Sequence, residues 1–97
     1  MNVEEFVSAA AAIGVDQAVA RTFYDVITSS FRVKGLELDA DLSKRYGIVD
    51  DELDDVVMTG AKRLGRVLPT PAQTRGMPPV RTVADLLRFV QGMKSGA

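Results

Sequence analysis

Five carboxylates fill positions 50–55 with one interruption: Asp50, Asp51, Glu52, Asp54 and Asp55. Clustered carboxylates can ligate a hard cation, exchange a proton with a substrate, or present negative charge to a partner. The run "DDELDD" lacks the glycine and the ligand spacing of a calcium loop, so no metal site is predicted. Asp51 and Asp55 could serve as an acid and base pair, yet both fall at the solvated start of a helix, where nothing desolvates or tunes them. No catalytic residue is assigned. With neither Cys nor His in 97 residues, disulfides, thiol chemistry, zinc sites and histidine acid–base catalysis are excluded. A second charged set, Lys62, Arg63, Arg66, Arg75 and Arg81, with Arg88 beyond it, is the alternative place for chemistry: an anion or nucleic-acid surface. The chain's pI near 5.3 and the lack of aromatic residues interleaved with these cations argue against it. Met58, Met77 and Met93 fit core filling or loop contacts, and Tyr24 and Tyr46 fit the boundary between core and water.

The element that must carry the acidic run is a helix, expected over Asp51–Leu64. Leu53, Val56, Val57, Ala61 and Leu64 form one apolar stripe, and Gly65 supplies the stop. Its charges follow the helix dipole, acidic at the start and basic at Lys62, Arg63 and Arg66. One or two carboxylates, with Asp50 or Asp51 as cap, would satisfy the helix. Five repel one another, and the excess points to a partner.

Around this helix the periodicity is helical throughout. Asn2 and Glu5 form a capping box for a first helix with Val3, Phe6, Val7 and Ala10 on one face, ended by Gly14. Asp16 is expected to cap a second, with Val19, Phe23, Val26, Ile27 and Phe31 as its stripe. A loop carrying Leu36 and Leu38 leads to a short helical turn holding Leu42 and Tyr46, stopped by Gly47. All four prolines lie in Pro69–Pro79, a stiff loop. Thr82 and Asp85 box the last helix, which buries Val83, Leu86, Leu87 and Val90 and ends at Gly92. The fold class predicted is all-α: a small antiparallel four-helix bundle over residues 15–92, an additional N-terminal helix over 1–14, and a flexible tail over 93–97.

The net charge of -1 conceals an asymmetry. Up to Ala61 there are 12 acidic against 5 basic residues, a balance of −7; from Lys62 onward there are 7 basic against 1 acidic, a balance of +6. The halves are expected either to neutralise each other in the fold or to make two recognition faces. The longest apolar run, near Ala9–Ile13, is too short to cross a bilayer, and the acidic start "MNVEEF" does not suit a signal peptide, so a cytoplasmic setting is expected.

Residues 16–91 resemble the acyl carrier proteins. Leu42 and Gly47 match that family's loop signal, Met58 and Leu64 the interior of its acidic helix, Leu68 and Pro69 the turn that follows, and Thr82 and Val83 the start of its last helix. The resemblance implies a helical carrier fold that docks on basic patches of partner enzymes through the acidic helix. It also implies a serine bearing a phosphopantetheine arm through a phosphodiester. Here Asp50 or Glu52, depending on register, stands at that position, and neither has a hydroxyl; the nearest serine, Ser43, precedes Gly47. The expectation is therefore a non-catalytic carrier-like module without phosphopantetheine or another cofactor. Asp50, Asp51, Glu52, Asp54 and Asp55 would face a protein partner. The alternatives are a nucleic-acid or regulatory protein using the basic half, and an orthodox carrier with an unrecognised attachment site.

Overall fold

The computed structural model of the chain describes residues 2–66 and 80–92; the proline-rich loop expected at Pro69–Pro79 and the tail 93–97 lie outside the described residues. Those residues form five helices and no strand: α1 Val3–Ala12, α2 Gln17–Phe31, α3 Leu42–Tyr46, α4 Asp50–Leu64 and α5 Val83–Gln91. The all-α expectation holds. None of these helices is long and apolar enough to cross a membrane.

Helix α2 is the central element and packs against α1, α4 and α5. Its stripe of Val19, Ala20, Phe23, Val26 and Ile27 is buried, while Phe31 is half-buried. Phe6 and Ala10 of α1 and Val83, Leu86, Leu87 and Val90 of α5 complete the same core. Phe6 meets Tyr24 with ring centroids 5.3 Å apart and planes tilted by 56°, within the range of favourable aromatic pairs. Helix α4 approaches α2 closely because Gly60 has no side chain: the ring of Phe23 occupies the space a Cβ would need.

Local signals explain most helix ends. In α1 the N–H of Glu5 donates to Asn2 Oδ1 at 2.9 Å, and the N–H of Asn2 donates to Glu5 Oε1 at 3.2 Å. In α5 the N–H of Asp85 donates to Thr82 Oγ1, and the N–H of Thr82 returns to Asp85 Oδ2, both at 3.1 Å. The first free N–H groups of α5 are met by the loop before α3: Val83 donates to the Ala40 carbonyl and Ala84 to the Leu38 carbonyl, at 3.1 and 2.8 Å. That docking buries Leu36 and places α3 beside the start of α5. Gly47 and Gly65 end α3 and α4 at φ 70° and 66°, a region that costs other residues.

Three expectations are corrected. Asp16 holds the cap position of α2 but makes no capping bond; its Oδ2 accepts from Gln91 Nε2, and its N–H donates to Gln91 Oε1, both at 3.0 Å. Helix α4 begins one residue early, and its cap position is occupied by Val49, not by an aspartate. Met58 is exposed, not core filling. Two residues from both Val56 and Gly60, it lies about 200° around the helix from each, on the side turned away from α2.

Candidate docking face on helix α4

The acidic run occupies the first turns of α4, with Asp50 as its first residue; the side chain of Asp50 lies outside what is described. Asp51, Glu52, Asp54 and Asp55 are all exposed. Asp51, Asp54, Asp55 and Met58 fall at i, i+3, i+4 and i+7, a single outward stripe. Glu52, Asp55 and Thr59 form its flank toward α2, where they border a pocket with Val26, Ser30, Phe31 and Val56.

No cation among the described residues lies within ion-pairing distance of these four carboxylates. Most carboxylates elsewhere are engaged, Glu37 and Asp39 being the exceptions among the described residues. Glu4 Oε1 receives Arg21 at 3.0 Å, Asp25 Oδ2 receives Arg63 at 2.6 Å, Asp16 lies 4.0 Å from Arg66, and Asp41 caps α3 through the Lys44 N–H at 2.9 Å. Asp85 is half-buried, which raises its pKa. The Thr82 and Arg81 N–H groups, the Thr82 hydroxyl and the charge of Arg88 together outweigh that burial and hold its carboxyl below the ordinary 3.8. Among the described residues, repulsion within the α4 run is thus relieved by no side-chain cation, but by solvent and the positive end of the helix dipole.

Apolar surface accompanies the charge. The large hydrophobic side chains exposed among the described residues are Val49, at 45%, and Met58, at 42%, and both border the acidic run. An interface needs both ingredients: charge steers encounter and orientation, while apolar anchors supply affinity.

The structure scatters the alternative anion-binding set. Arg63 is bound to Asp25. Arg66, mostly buried, reaches toward Asp16 and donates to the Gln91 carbonyl at 3.4 Å. Lys62 is exposed on α4, Arg81 is exposed before α5, and Arg75 lies outside the described residues. Two of these cations therefore join the acidic N-terminal half to the basic C-terminal half, as expected if the halves neutralise each other in the fold. Ser43 is exposed on α3, where it borders an open cleft of about 360 Å³ shared with Val49, Leu53, Val80 and Arg81. No group of three or more acidic residues converges on a metal-sized site among the described residues. The chain matches no known protein family, no curated protein and no solved structure.

Proposed function

We propose that this chain is a non-catalytic, acyl-carrier-like interaction module that docks on a basic patch of a partner protein through the outward stripe of α4. One observation carries the reading: among the described residues no cation stands beside the exposed Asp51, Glu52, Asp54 and Asp55, and the exposed Met58 lies on the same stripe. Four such carboxylates are more than helix initiation needs, and like charges one turn apart cost a few tenths of a kcal/mol each, ~0.2–0.5. The carrier-like part of the proposal rests on the resemblance of residues 16–91, and the helical fold is compatible with it. The carrier-serine position is held by Asp50 or Glu52, so the module acts without a phosphopantetheine arm. It works in the cytoplasm, where carrier-dependent enzymes would supply the basic patch.

The test is affinity capture from extracts of the expressing cell, with the native chain and with Asp54→Asn/Asp55→Asn as baits. The reading requires a protein that the native bait holds, that salt releases, and that the double variant loses. A partner held equally by both baits contradicts it.

A further inference from the structure

The seam between the C-terminal half of α2 and the start of α4 holds a pocket of about 170 Å³. Its floor is Val26 and Val56, each nearly inaccessible, and its wall is the half-buried ring of Phe31. Its polar lining residues are Glu52, Asp55, Ser30 and Thr59, all exposed and each carrying a side-chain oxygen. A helical Ser or Thr hydroxyl commonly bonds the carbonyl one turn back, as Thr28 does to Tyr24 at 2.7 Å. Ser30 and Thr59 make no such bond, and no described residue donates to Glu52 or Asp55.

Size and chemistry select the guest. Pockets for drug-sized molecules run to roughly 300–1,000 Å³, well above this one, which suits a single long side chain. Four side chains with acceptor oxygens that no described residue claims, around an apolar floor, call for a guest with several donors on an aliphatic stem. Arginine meets this better than lysine: its stem packs on valine, its flat head stacks on an aromatic face, and its five N–H groups are fixed in a fork. The same pair of helices already carries one arginine–carboxylate contact of the chain's own, the exposed Arg63 on Asp25 at 2.6 Å. We infer that the α2–α4 pocket receives an arginine side chain of the docked partner, inserted between Glu52 and Asp55 and backed by Phe31. This rests on the docking reading and deepens it, adding an arginine-specific anchor to a charge-steered face.

The probe is Nα-acetylarginine amide, titrated into the isotope-labelled full chain and followed by NMR, with the lysine and citrulline counterparts alongside. Saturable shifts are expected at Val26, Ser30, Phe31, Val56 and Thr59 with arginine. Lysine should bind about fivefold more weakly, for want of the planar fork. Citrulline, which keeps the shape without the charge, should not saturate. Thr59→Leu fills the rim and leaves every carboxylate in place; it should weaken arginine binding about tenfold, the value of one charge-assisted hydrogen bond. Equal binding of lysine and arginine, shifts centred on Asp51, Asp54 and Met58 instead of the pocket, or native-like binding by Thr59→Leu would each overturn the pocket. None of these results touches the broader docking claim, which is decided by partner capture with the Asp54/Asp55 variant.

Discussion

Replacing Gly60 by alanine tests whether α4 is seated on α2 as described. A Cβ at this position would stand 2.2 Å from Phe23 Cζ, 2.5 Å from Cε2 and 2.7 Å from Cε1. Carbon contacts settle near ~3.5–4.0 Å, so the ring or the helix must yield by more than about an ångström. Phe23 is fully buried within the packed core, and its ring has no open side to retreat into. Overpacking of this kind costs ~1–3 kcal/mol, and a clash this deep belongs at the upper end. Alanine recovers about 1 kcal/mol through helix propensity. The net expectation is a loss of roughly 1–2 kcal/mol, read from urea unfolding followed by far-UV circular dichroism at unchanged slope. In a thermal scan each kcal/mol lowers the midpoint by about 4–8 °C. Phe23→Leu in the same background should relieve part of the penalty, so the double variant loses less than the two single losses added together. If Gly60→Ala is more stable than the native chain, as at an open helical glycine, the close approach of α4 to Phe23 is wrong.

The other predictions concern single residues. Asp85 has a depressed folded pKa, so its contribution to stability is complete above its unfolded value near 3.8 and is lost as pH falls through the lower folded value. Asp85→Asn should therefore be less stable than the native chain at neutral pH, with the gap closing below about pH 4 in acid unfolding curves; a gap that widens toward acid would contradict the capping-box account. Arg32 ends α2 at φ 54°, the left-handed region, and Arg32→Gly should raise stability by up to about 1 kcal/mol, offset in part by the greater freedom of the unfolded chain. No gain in chemical denaturation would mean that its side chain repays the strain. Incubation with coenzyme A and a broad-specificity phosphopantetheinyl transferase should add no mass to the intact chain; an increment mapping to Ser43 would make this an orthodox carrier.

Local signals in the sequence located the elements, and contacts between distant segments account for what it left hidden. Both capping boxes, Asn2 with Glu5 and Thr82 with Asp85, were legible because donor and acceptor lie three residues apart. The buried stripe of α5 was legible because nine helical residues repeat one period. Asp16 misled because a capping aspartate and one bound to Gln91, 75 positions away, look alike in sequence. Leu36 lies in a loop that docks on α5 and Ile48 in the link between α3 and α4, and both are buried where no periodicity announces it. Met58 gave the wrong expectation because the near face of α4 is set by what is missing at Gly60. The acidic run itself was plain, but its pocket was not: half of that pocket belongs to α2, and only the packing of α2 on α4 brings Phe31 to Glu52.

The docking claim is tested most directly by measuring how affinity for the captured partner depends on salt, for the native chain and for two paired variants. Exposed charges act through a field that salt screens within ~10 Å at 0.1 M, so native binding should weaken as salt rises. Asp54→Asn/Asp55→Asn should bind more weakly and with a flatter salt dependence. Its folding stability should move by less than about 1 kcal/mol, since both sites are exposed and neither caps the helix. Arg75→Gln/Arg81→Gln should bind nearly as the native chain does. If the arginine pair abolishes binding and the aspartate pair leaves it untouched, the acidic run serves only its own helix and the basic half is the working surface.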